Sequence, residues 1–322
     1  MSYEKTEYFD ATTDYYKLEE ESEDVLLKRR IQTYSTHALK LGLRVDSIVV
    51  LSTQFVEGLK ALDRVFQMAR EVKMPHGFRL VGPPGSGKST LIRYFSESLP
   101  PSNLFMPSLG CMGVRAAAKS TTGQLIASLL AIYKYPFISQ NYKTVYLRKE
   151  LLFELIREKG TRLIYVEDAH QLLKTSSKRQ GIALEPDVTA FLSEMMDETN
   201  VGLVLMGDKS LDQLETIDKS LADRIAAKIE MLHFEPNNQW RGVLIGFSKD
   251  CSWFDVKIIE DVICAKNLHH ATGGNLRQFK RLLTEAVLIA AQVNESAISN
   301  ESLKNAFSVV FGKQSSRTNP FV

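Results

Sequence analysis

Apolar positions along the chain change their period repeatedly, and the changes predict its elements. Between Ser47 and Val72, Leu59, Leu62, Val65, Phe66 and Met68 recur at helical spacing. The run Phe78 to Val81 reads as a buried strand ending at Gly82, with a helix from near Lys88 to about Leu99. A second strand is predicted over 103–108, followed by a small-residue loop over 110–120. Helices over 121–132 and 145–158 precede a third strand over 161–166, which ends at Glu167 and Asp168. A helix over 188–196 leads to a fourth strand over 201–206, ending at Gly207 and Asp208. After helical stretches at 211–217 and 221–227, a fifth strand is predicted over 229–234. From Gln239 the pattern is helical alone, interrupted at Gly273 and Gly274. Strands alternating with helices imply an α/β fold with a parallel five-stranded sheet between helical layers. The expected organisation is an acidic arm over 1–44, an α/β domain over 45–237, a helical lid over 238–311 and a polar tail over 312–322.

Composition narrows the class. The chain has 322 residues, 44% apolar and 24% charged, which suits a globular protein of two folding units. No apolar stretch reaches the ~18–20 residues of a membrane span. The opening residues carry Glu4, Glu7 and Asp10, unlike a secretory leader. Cys111, Cys251 and Cys264 are dispersed, so neither a disulfide framework nor a zinc site is expected, and a cytoplasmic protein is. The six histidines form no metal site, although His170 follows the acidic turn and can orient a neighbour there.

Charge is uneven beneath a net +2. Residues 1–24 hold nine acids against two lysines, or −7, which leaves +9 for the rest. No acid occurs between Glu97 and Glu150, where about six would be expected from the chain average, while Arg115, Lys119, Lys134, Lys143, Arg148 and Lys149 are basic. Such a stretch is expected to face a polyanion.

The strongest chemical signal is Gly82-Pro83-Pro84-Gly85-Ser86-Gly87-Lys88-Ser89, followed by Thr90, between the first strand and its helix. Glycines let successive N–H groups converge on phosphate oxygens, and the helix adds its positive end. Lys88 offers a point charge to the β- and γ-phosphates, and the Ser89 hydroxyl suits Mg²⁺. A nucleoside triphosphate, taken as ATP, and Mg²⁺ are therefore the expected ligands.

Together with Leu163 to Leu172, Gly202 to Asp208, Ser220 to Arg224 and Thr272 to Arg277, this loop resembles the AAA+ ATPases, and more narrowly the TnsC/TniB transposition regulators, over residues 45–311. The resemblance implies that Glu167 holds Mg²⁺ and that Asp168 polarises the attacking water, in swapped order relative to the usual Asp-Glu pair. Asp168 is one methylene shorter than the usual glutamate, which implies slow hydrolysis. Asp208 matches the sensor-1 position, where an acid departs from the usual Thr or Asn. Arg224 matches the arginine finger that completes a neighbouring subunit's site, and Arg277 matches sensor 2.

The same resemblance implies a homo-oligomeric ring or filament on double-stranded DNA, gripped through its backbone by Arg115, Lys119, Ser120 and Thr121. It also implies a transposase and a TniQ-type target-selection protein as partners, with no membrane involved. The alternative within the class is a replication initiator or helicase loader.

Overall fold

The computed structural model describes residues 33–74, 76–100, 109–118, 120–135, 142–173, 188–312 and 317–322. Five parallel strands form one sheet in the order β2-β3-β4-β1-β5. They are β1 (Gly77–Val81), β2 (Cys111–Arg115), β3 (Leu163–Glu167), β4 (Gly202–Gly207) and β5 (Ala227–Glu230). β1, β3 and β4 are covered on both faces, which explains their nearly continuous apolar sequences.

α1 (Thr36–Ser47) and α2 (Thr53–Met68) precede the sheet, and α3 (Lys88–Ser98) follows β1. α4 (Thr122–Ile132) and α5 (Tyr142–Glu158) lie between β2 and β3, while the short α6 (His170–Leu173) and α7 (Val188–Thr199) lie between β3 and β4. α8 (Leu214–Ile217) and α9 (Lys219–Arg224) precede β5. On one face of the sheet, Leu125, Phe153 and Phe191 of α4, α5 and α7 pack against Ile164 and Leu203. On the other face, Leu62 of α2 and Leu91 and Phe95 of α3 pack against Phe78 and Leu80.

A separate helical core joins α1 to α10 (Asn238–Asp250), α11 (Val262–Thr272), α12 (Leu276–Gln292) and α13 (Asn300–Phe311). Trp240 sits at its centre, with its ring against Phe279 and its Nε1 donating to Ala265 O at 2.9 Å. Truncation of a side chain this buried costs about 3–5 kcal/mol.

Four features differ from the sequence reading. β5 runs from Ala227 to Glu230, whereas its strand was expected over 229–234 after a helix reaching 227. The strand expected over 103–108 lies outside the described residues, and β2 occupies 111–115, where a loop was expected. Gly113 hides that strand from a hydrophobicity pattern. It is paired with Tyr165 of β3, and any β-carbon at Gly113 would collide with the Tyr165 ring. Residues 36–44, assigned to the arm, lie in α1, whose Ala38, Gly42 and Val45 are buried in the helical core. The tail is likewise anchored: Phe321 is buried against Phe307, and its carbonyl accepts from Asn300 Nδ2 at 3.1 Å.

Candidate nucleotide site

The phosphate loop turns between β1 and α3 because Gly85 and Gly87 take left-handed backbone angles, φ 82° and 103°, that side chains disfavour. Lys88 Nζ bends back to donate to Gly82 O at 2.5 Å and Pro83 O at 3.0 Å. Ser86 Oγ is buried with no hydrogen-bond partner among the described residues. An orphaned hydroxyl and an ammonium resting on its own loop both suit an incoming phosphate. Burial lowers the Lys88 pKa and Arg277 pushes it the same way, while Asp168, Asp208 and Glu167 oppose that shift. All five charges therefore act on one place.

That place is a cavity of about 820 Å³ between the sheet and the helical core. Ser89 and Glu167 line it, and their oxygen donors suit Mg²⁺. Among the described residues no group of three or more His, Cys, Asp or Glu side chains forms a metal cage.

The helical core meets the phosphate loop at Asn275 and Arg277. Asn275 caps α12 by accepting from Arg277 N at 3.0 Å and Gln278 N at 3.2 Å, and it donates to Pro84 O at 3.1 Å. Arg277 N also donates to Gly85 O at 3.3 Å. The segment Gly273 to Arg277 is thus the seam between the phosphate loop and the lid, and it directs Arg277 into the cavity.

Across the cavity, side chains pair with one another. Arg115 at the end of β2 stands in register with Glu167, and its Nε donates to Asp168 Oδ2 at 2.7 Å. Asp168 has a left-handed backbone, φ 53°. Asp208 caps a short 3₁₀ turn by accepting from Ser210 N at 2.9 Å, and its other oxygen lies 3.8 Å from His170 Nε2.

The remaining predicted residues are placed elsewhere. Arg224 does not line the cavity; Asp197 holds it through contacts of 3.0 and 2.7 Å, and Ser220 O accepts from it at 2.9 Å. Ser120 is buried, with its hydroxyl in a turn at Ala117. Thr121 forms a reciprocal capping box with Gln124 at the start of α4. The two hydroxyls expected on a DNA-facing loop are therefore engaged in local structure. Lys119 lies outside the described residues.

The acid-free stretch is not one bare basic face. Arg148 is buried, and Lys149 Nζ contacts Glu194 at 2.5 Å. Sequence reasoning also missed the apolar end of the cavity, where Val49 and Val50 face Val243 and Phe247 of α10. The available signal was the run Ile48 to Leu51, which stands just before the Ser52 cap of α2 and belongs to no helix.

Solved structures show the same fold at low identity. The Cdc6p structure from Pyrobaculum aerophilum matches with TM-score 0.57 and 16% identity, covering 79% of this chain and 66% of that one. The Aeropyrum pernix ORC1 protein in complex with DNA gives 0.59 and 19%, covering 81% and 66%. Drosophila ORC bound to DNA gives 0.53 and 12%, covering 86% and 66%. The chain thus spans just under two thirds of the length of each. No curated protein matches it. The family profile described as bacterial TniB protein matches residues 47–233, more than half of the chain, and so this AAA+ P-loop ATPase belongs to the TniB family.

Proposed function

We propose that the protein is an ATP-dependent, DNA-binding regulator of transposition. Subunits assemble on target duplex DNA, link a TniQ-type target-selection protein to the transposase, and disassemble after slow hydrolysis. Arg224 carries this reading. It is the one predicted nucleotide-contacting cation that stands outside its own subunit's cavity, presented near the surface by Asp197. An arginine fork so placed can reach the phosphates of a neighbouring copy, which makes nucleotide binding and assembly one event.

Within one subunit, Lys88 and the loop N–H groups hold phosphates, Arg277 approaches from the lid, and Ser89 and Glu167 hold Mg²⁺. When bound, Mg²⁺ neutralises charge on the phosphate oxygens. Asp168 takes the attacking water's proton once Arg115 leaves it. The short, left-handed, ion-paired Asp168 gives slow turnover, because an offset of about 1 Å costs on the order of 10²-fold in rate. Partner-free turnover is expected well below about 10 s⁻¹, a typical enzyme value. A DNA phosphate competing for Arg115 would release Asp168, tying DNA contact to hydrolysis.

The test is electron microscopy of the full chain with duplex DNA and ATP, a slowly hydrolysed analogue, or ADP. Assemblies on DNA with the first two and none with ADP are expected. R224A should bind nucleotide normally and remain dispersed; if it assembles like wild type, the proposed joint is wrong. Co-sedimentation of transposase and a TniQ-type protein with the ATP assembly tests the transposition role. A replication initiator or helicase loader is the second reading, drawn from the Cdc6p and ORC likeness, and co-sedimentation of a replicative helicase instead would favour it.

A further inference from the structure

A phosphate cradle needs its N–H groups turned inward, and the lid touches this loop only where carbonyls face out. Pro84 O accepts from Asn275 Nδ2 at 3.1 Å and lies 3.1 Å from His233 Nε2, which can only donate to a carbonyl. Gly85 O accepts from Arg277 N at 3.3 Å. The described peptides are trans and planar, so a carbonyl and the N–H that follows it point in opposite directions. Holding Pro84 O toward the lid therefore turns Gly85 N–H the other way. That N–H donates to no backbone group among the described residues.

The amide of Asn275 does two jobs with two different atoms. Its Oδ1 accepts from Arg277 N and Gln278 N and so starts α12. An aspartate caps a helix equally well, as Asp218 does for α9 and Asp261 for α11 in this chain. Only an amide keeps a donor after capping, and here that donor goes to the loop. The fit is close on both sides of the contact. A β-carbon at Gly85 would collide with the Asn275 amide, and one at Gly274 would collide with Phe234 O. Phe234 N also donates to Gly274 O at 3.1 Å, which fixes the residue just before the cap.

We propose that Asn275 is a positioning residue for phosphate binding: by holding Pro84 O outward it aims Gly85 N–H at the phosphates of the nucleotide. The lid thus shapes the cradle itself, in addition to bringing Arg277. The inference rests on the nucleotide pocket and on neither DNA binding nor assembly.

The experiment titrates the full chain, without DNA and with Mg²⁺, using fluorescent mant-ATP and mant-ADP, and records melting temperatures without nucleotide. N275S keeps an oxygen for the cap but ends one bond short of Pro84. Its melting temperature should stay near that of wild type, while affinity for both nucleotides falls on the order of tenfold, since both carry phosphates on the loop. N275D also keeps the cap and puts an acceptor where the donor stood, so its affinity should fall further. N275A loses cap and donor together. It should melt a few degrees lower than N275S and yet bind both nucleotides about as N275S does. The proposal is overturned if affinity follows the cap instead, with N275S and N275D binding like wild type and N275A alone weak. It is equally overturned if all three variants bind like wild type.

Discussion

The two walls of the nucleotide cavity carry their charge in different ways. On the phosphate-loop side, binding groups are backbone N–H donors and one ammonium that rests on the loop's own carbonyls. On the opposite wall, at the ends of β2, β3 and β4, charge sits on side chains: Arg115 bonds Asp168, and Asp208 caps its own turn with His170 nearby. A backbone cradle is fixed by the fold and cannot be exchanged without unfolding it. A side-chain pair can be traded for a competing ion, and easily so when exposed, as Arg115 is at 73%. Under the proposed function, the first wall holds nucleotide and the second decides when it is cleaved.

The sharpest way to break this contrast is Gly85→Ala. The residue has φ 82°, and a new β-carbon would collide with the Asn275 side chain. Binding of mant-nucleotides should fall by more than about 10²-fold, with a lower melting temperature, since backbone and seam are both disturbed. Normal affinity in this variant would mean that the loop is not preorganised. K88A should weaken ATP and ADP alike by on the order of 10²-fold, as loss of a charged hydrogen-bonding group does. A change confined to ATP would move Lys88 from the binding wall to the deciding one.

R115A should act in the opposite sense, on rate rather than affinity. DNA-free turnover should rise a few-fold as Asp168 is released, stimulation by DNA should vanish, and mant-ATP affinity should stay within about twofold. A fall in affinity would place Arg115 among the binding groups. The smallest effect concerns pH. Because burial holds the Lys88 pKa below the ordinary lysine value of about 10.4, the free protein loses this charge earlier as pH rises. Mant-ADP affinity should therefore decline on the alkaline side before an exposed lysine would titrate, while K88R, which stays charged, should be flat over that range. Equal alkaline profiles for the two proteins would remove Lys88 as the cause.

Legibility in the sequence follows the distance over which each feature is encoded. The phosphate loop is eight consecutive residues, and its backbone geometry, flanking strand and helix are all local. β3 and β4 were visible within about two residues because strands buried on both faces are apolar throughout. β2 reads as a loop in the sequence because its Gly113 clears the ring of Tyr165, its partner in the sheet 52 positions further on. The acid-free stretch suggests a basic face, yet Lys149 meets Glu194, 45 residues away on α7, besides its neighbour Glu150. A charge count along a chain cannot see partners that arrive from another element.

The sequence by itself determined the kind of fold, the phosphate loop and most of the charged groups that line the cavity, because each depends on neighbours within a turn or a strand. Only the tertiary structure decided how those groups are paired. Arg115 meets Asp168 because β2 and β3 run parallel in a register that sets Arg115 beside Glu167, and His170 meets Asp208 because a backbone bond joins the ends of β3 and β4. Arg224, outside the cavity, meets Asp197 on a different helix. Electrostatic pairing depends on separations of a few ångströms through space, and folding alone sets those separations.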